Sequence, residues 1–283
     1  MLTFSGKVDS YITSPPGVLP PLKQKAFLDS MTKDIFLTPT GKLSAADVSE
    51  TIPRLMSAWS SRPIVLPKKT TRRRARVSSS LLPTTRAKSL ECPLSLDDGP
   101  TAVECATTTE KLLKRLIDEQ YAMQFSQGTN PMLTTEIYNS VLASWVRVCE
   151  PKVAEDSSIA IAAATRATTI IIQMQELYEQ DTELNKYIQP DESTYRIALS
   201  AWVAAAEMAL EENSEQAYHA TSHAQSVVEW MMDLYLRNVD GQNDQLKSVI
   251  LDQNVYHTIL YLWVQCTSVE FMSLKKTEKA RAN

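Results

Sequence analysis

Apolar positions along the chain follow a helical rather than an alternating period, and one short pattern returns three times. "YNSVLASW" at Tyr138 to Trp145 is followed by "YRIALSAW" at Tyr195 to Trp202 and by "YHTILYLW" at Tyr256 to Trp263. In each, Tyr, Leu and Trp stand at i, i+4 and i+7, which places them on one stripe of a helix. Such a stripe predicts burial against a second helix. A shift of 57 residues superposes the first two stripes, and the same shift carries Ala167, Ile170, Ile171, Met174, Leu177 and Tyr178 onto Ala224, Val227, Val228, Met231, Leu234 and Tyr235. One offset thus relates two helices, and the repeating unit is a helix pair.

The pattern predicts helix A over residues 135–148 and 192–207 and helix B over 159–179 and 216–237. The stretches "EPKVAEDSSIAIAA" and "LEENSEQAY" are expected to lengthen the loop between the two helices. Two helices cannot close a core by themselves, so units must stack. The expected fold class is all-α, with helix-turn-helix repeats forming an α-solenoid whose concave face is lined by helices A. The repeats span 107–283, opening with an amphipathic stretch at Thr107 to Phe125. The last unit is expected to be incomplete, because Arg281-Ala282 falls where Arg166-Ala167 opens a helix B. Residues 44–60, "SAADVSETIPRLMSAWS", read as a degenerate helix A in which Pro53 kinks or restarts the helix. Residues 1–43 show no sustained period and are expected to be mostly disordered. Residues 61–106, rich in Pro, Ser, Thr and Arg, are expected to form a disordered loop.

Charge changes the picture more than composition does. The net charge is −4, yet residues 51–90 carry ten basic and no acidic side chains, while residues 101–283 carry 14 basic against 25 acidic. The repeat region is an acidic body with a basic arm beside it. Arg72, Arg73, Arg74 and Arg76 form the densest part of that arm. It suits phosphate contacts or a targeting signal, but taken alone it reads first as a solvated loop.

Several chemistries lack their residues. With six Gly and no G-x-G-x-x-G or G-x-x-x-x-G-K, a phosphate-cradling loop is not expected. There is no G-x-S-x-G and no H-E-x-x-H. Cys92, Cys105, Cys149 and Cys266 are too far apart for a C-x-x-C site and read as ordinary thiols in a reducing compartment. Glu215, His219 and His223 at i, i+4 and i+8 share a helix face, but no fourth ligand or general base accompanies them. The expectation is a protein without catalytic residues, metal or cofactor, with no small-molecule substrate and no membrane span.

The junction "IQPDESTYRIALSAW" resembles that between two pentatricopeptide repeats, which close in Pro-Asp and open with Thr-Tyr and an apolar helix. Pro190, Asp191, Thr194 and Tyr195 match it, as does "EIYNSVL" at Glu136 to Leu142, and "ATRATTIIIQMQELYEQ" is similar to the family's second helix. Tyrosines spaced by 57 and then 61 residues depart from the family's period of about 35. The resemblance implies single-stranded RNA as ligand and organellar RNA processing, stability or translation, in mitochondrion or plastid, as the setting. Each repeat would read one base through the residue after the helix A Tyr together with the closing Asp. For this chain that means Asn139 with Asp191, the family's uracil pair, then Arg196 with Asp252, and His257 in the third unit. The alternative for Asn139 and Asp191 is that they only bond helix ends. The alternative for the whole protein is an interaction scaffold that holds a basic peptide or subunit in an acidic groove.

Overall fold

The computed structural model describes residues 21–44, 47–61, 101–127, 133–180, 185–239 and 253–282. Among these residues every regular element is a helix: α1 (Pro21–Leu37), α2 (Ile52–Ser60), α3 (Ala102–Gln127), α4 (Thr135–Cys149), α5 (Ser157–Gln180), α6 (Glu192–Glu212), α7 (Ser214–Val239) and α8 (Gln253–Ala282). A π-helical turn at Asp47–Thr51 precedes α2, and a 3-10 turn at Lys186–Ile188 precedes α6. Each helix packs on the next in chain order. In addition α2, α4, α6 and α8 touch one another in succession, whereas no comparable row of contacts joins α3, α5 and α7.

Local chemistry fixes the helix starts. At α3, Thr101 and Glu104 cap each other reciprocally, with Glu104 N–H donating to Thr101 Oγ1 and Thr101 N–H to Glu104 Oε2. At α5, Asp156 Oδ1 accepts from Ile159 N–H and Ser158 Oγ, and these bonds hold its carboxyl below the ordinary range. At α7, Asn213 Oδ1 accepts from Glu215 N–H. The acidic and amide residues between helices therefore satisfy orphan N–H groups.

One side-chain contact recurs four times. The Trp59 indole N–H donates to Thr32 Oγ1 at 3.0 Å, Trp145 to Glu110 Oε2 at 3.1 Å, Trp202 to Thr168 Oγ1 at 2.8 Å and Trp263 to Gln225 Oε1 at 3.0 Å. In every case the acceptor lies on the preceding helix, which gives α2 the same relation to α1 that α4, α6 and α8 have to α3, α5 and α7. The core runs continuously through the row, with Leu55, Leu116, Leu142, Ile170 and Trp202 among its fully buried members.

Several expectations need correction. Residues 21–37 form α1 and bury Leu28, Met31 and Ile35, so the disorder expected of 1–43 does not hold over 21–43, and residues 1–20 lie outside the described residues. The 38–41 turn is held by Arg115, which donates to Thr38 O at 2.6 Å, and by Glu119, which accepts from Gly41 N–H at 2.7 Å. Gly41 has φ +78°, where a side chain is strained. Pro53 does restart the helix: it sits in the first turn of α2, after the π-helical turn, where its missing N–H is harmless. The segment "LEENSEQAY" is almost wholly helical, with only Asn213 between α6 and α7; the extra length of this segment goes into helix rather than loop. Finally, α8 runs unbroken to Ala282, so no second helix opens at Arg281.

The third stripe also departs from the first two. Tyr138, Leu142, Tyr195 and Leu199 are buried, but Tyr256 is 37% exposed and Leu260 61%. Val255, Ile259, Leu262 and Cys266 turn to the core instead. The physical reason is neighbourhood: α4 and α6 each lie between two helices, while among the described residues none follows α8. By length and composition α5 could cross a membrane, but Ala163, Ala167, Ile170, Ile171 and Met174 are buried within the protein, and Arg166 pairs with Glu110.

Candidate nucleic-acid interface

The row formed by α2, α4, α6 and α8 carries Asn139, Arg196 and His257 of the residues singled out for base reading. Asn139 follows the buried Tyr138 by one position and is therefore turned about 100° away from the core, leaving its side chain half-buried. Asp191 is the N-cap of α6, with extended backbone, and forms a capping box with Thr194: Thr194 N–H donates to Asp191 Oδ1 at 2.8 Å, and Asp191 N–H donates to Thr194 Oγ1 at 3.1 Å. The stacking of α4 on α6 brings the two sites together. Asn139 Nδ2 donates to Asp191 Oδ1 at 3.3 Å, and the Thr194 hydroxyl lies 2.8 Å from Asn139 Oδ1.

The helix-end bonding given as the alternative for this pair is present, since Asp191 caps α6 and also holds Asn139. A primary amide has two donors and two acceptor lone pairs. Asn139 uses one of each on Asp191 and Thr194, and one N–H and one lone pair are left on the same planar group. Thr194 stands out in the sequence only as part of the repeat junction, and its grip on Asn139 becomes apparent only when α4 and α6 stack. Thr135 ties the same junction from the other side, its hydroxyl lying 2.9 Å from Gln189 O and 3.0 Å from Tyr187 O.

The other residues are less well assembled. Arg196 occupies the position on α6 that Asn139 has on α4, and its Nε donates to Glu192 Oε1 at 2.6 Å, one turn back on the same helix. His257 has that position on α8, with its Nε2 3.2 Å from Gln253 Nε2. Asp252, Arg72, Arg73, Arg74 and Arg76 lie outside the described residues.

Acidic groups are unevenly placed. Over the described side chains of α2, α4, α6 and α8 they are Glu136, Glu192, Glu207, Glu211 and Glu212; Glu192 is paired, and the last three sit at the far end of α6. The α3, α5 and α7 row carries Glu104, Glu110, Asp118, Glu119, Glu176, Glu179, Glu215, Glu229 and Asp233.

The histidines of α7 serve packing. His223 stacks on Trp202 at 4.5 Å with planes 15° apart, His219 meets the same indole edge-on at 6.5 Å, and the two imidazole Nε2 atoms are 3.2 Å apart. Burial first, and the neighbouring His219 second, hold the His223 pKa below its ordinary value. No group of three metal-ligating side chains occurs among the described residues.

Compared with protein-family models, curated proteins and solved structures, the chain matches none.

Proposed function

We propose that the protein is a non-enzymatic α-solenoid of pentatricopeptide type that binds single-stranded RNA along the α2, α4, α6, α8 row, in organellar RNA processing, stability or translation. The observation that carries this reading is the Asn139, Asp191 and Thr194 cluster. An amide held on its paired face by a helix cap keeps one outward N–H and one outward carbonyl lone pair, either of which can make a single hydrogen bond to a uracil carbonyl or N3–H. The fourfold indole contact supports the stacked-repeat architecture. The weight of acidic side chains on α3, α5 and α7 supports a partner on the other row, where a polyanion meets less repulsion.

A protein-binding scaffold is the second reading, favoured by the exposed Tyr256, Leu260, Tyr261 and Val264 on α8. Fluorescence anisotropy with labelled oligouridylate and oligoadenylate decides between them. Tighter binding of the uridine strand, reduced severalfold by Asn139→Ala, is the expected result; a single hydrogen bond is worth about 0.5–1.5 kcal/mol. Failure of both strands to bind at low salt would overturn the RNA reading.

A further inference from the structure

Between α3 and α5, with Tyr138 and Trp145 of α4 as its floor, lies a cavity of about 640 Å³. That volume is in the range of small-ligand sites. Leu113, Ile117 and Ile170 contribute apolar walls, and at one end Glu110 accepts from Arg166 Nε at 2.9 Å while also holding the Trp145 indole N–H. The phenol oxygen of Tyr138 is buried and has no hydrogen-bond partner. A buried hydroxyl without a partner is destabilising, and burial, followed by nearby Tyr121, pushes its pKa well up so that it stays a neutral donor.

The next unit shows what fills this place when the chain fills it itself. There the Trp is Trp202, covered by the His223 ring and only 1% exposed. The 57-residue offset makes Arg166 the counterpart of His223, but Arg166 pairs with Glu110. Trp145 is accordingly only half-buried and lines the open cavity.

We infer that this cavity is a binding site for a neutral, planar nitrogen heterocycle of nucleoside size, its ring against Trp145 as the imidazole of His223 lies against Trp202, and an acceptor atom of its substituent taking the Tyr138 hydroxyl. Tyr138 and Trp145 are two turns apart, about 10 Å along α4, which sets the length of the ligand. The Glu110–Arg166 pair is neutral as a unit and favours an uncharged ring. The heterocycle is that of a free small molecule, because the proposed strand runs along the α2, α4, α6, α8 row and not over α3 and α5.

The test uses the full chain with adenosine, uridine and indole as probes, read on the Trp indole N–H signals in a nitrogen–proton correlation spectrum, with Trp145→Phe assigning its own signal. A nucleoside is expected to shift the Trp145 signal and leave Trp202 in place. Arg166→His, which copies the arrangement of the next unit, is expected to weaken binding by about tenfold or more, in line with the worth of one base–aromatic stack. Tyr138→Phe, which keeps the ring and the fold, is expected to weaken it severalfold. A Trp145 signal unmoved by all three probes at millimolar concentration, or full binding by both variants, would overturn the site. RNA binding without displacement of the nucleoside is expected; displacement by oligouridylate or oligoadenylate would overturn the assignment to a free molecule.

Discussion

Replacing Trp202 by Ala should be among the most damaging single changes to the described core. The side chain is 1% exposed, its indole N–H donates to Thr168 Oγ1 at 2.8 Å, and His223 stacks on its face at 4.5 Å. Truncation of a buried Trp costs about 3–5 kcal/mol in transfer and cavity terms. Two smaller parts can be separated. Trp202→Phe keeps most of the ring but removes the donor, for a loss of about 1 kcal/mol from the bond itself. A cycle with Thr168→Val should show a coupling of about 0.5–1.5 kcal/mol. A second cycle pairing Trp202→Ala with His223→Ala should show about 0.5–1.5 kcal/mol, the worth of an aromatic pair beyond its buried area. Urea unfolding followed by far-ultraviolet circular dichroism gives these values, provided the slope with denaturant stays constant so that midpoints report stability. A loss below about 1 kcal/mol for Trp202→Ala would refute the placement of this indole in the core.

Leu142→Ala and Leu260→Ala compare the same repeat position in two settings. The first, fully buried, should cost about 2–5 kcal/mol and the second, 61% exposed, less than about 0.5 kcal/mol in the same unfolding assay. Equal losses would mean that α8 is covered in solution. Cys149 is buried, with its thiol pKa pushed up to about 12 by burial, and Cys105 and Cys266 are buried cysteines as well. A Cys92→Ser chain should therefore stay silent toward a chromogenic disulfide reagent at pH 8 until denaturant is added. The depressed His223 pKa makes the unfolded chain the better proton acceptor. Its contribution to stability should be complete above the unfolded value of about 6.5 and be lost as pH falls from there to the folded value. The slope of unfolding midpoint against pH in that window should flatten in His223→Gln.

The parts of this architecture that follow from period alone were readable in the sequence. The Tyr, Leu and Trp stripe of α4 and α6 and the apolar run of α5 required only counting, and the indole contacts extend the same logic back to Trp59. Helix α1 had a signal too, in Leu28, Met31 and Ile35 at spacings of three and four, but Pro-rich flanks hid it. The early start of α3 rests on the Thr101 and Glu104 capping box, which precedes the apolar run. What could not be read depends on neighbours. Leu142 and Leu260 occupy one position in the pattern, and only the presence of a covering helix decides which is buried. The cavity over Trp145 depends on a choice made by one side chain, since Arg166 turns to Glu110 while its counterpart His223 turns to Trp202. Asn139 and Asp191 were paired by resemblance, and their contact with Thr194 required the stacking of two helices.

The most direct test of RNA reading by the repeats is a salt titration of binding to pooled single-stranded RNA. It would compare the intact chain, Asn139→Ala, and a chain with Arg72, Arg73, Arg74 and Arg76 all changed to Ser. If the repeats recognise the strand, the arginine variant should still enrich uridine-rich sequences, with a shallower dependence on salt because fewer phosphates are neutralised, and Asn139→Ala should lose that enrichment. Binding that vanishes with the four arginines and is indifferent to Asn139 would contradict the account.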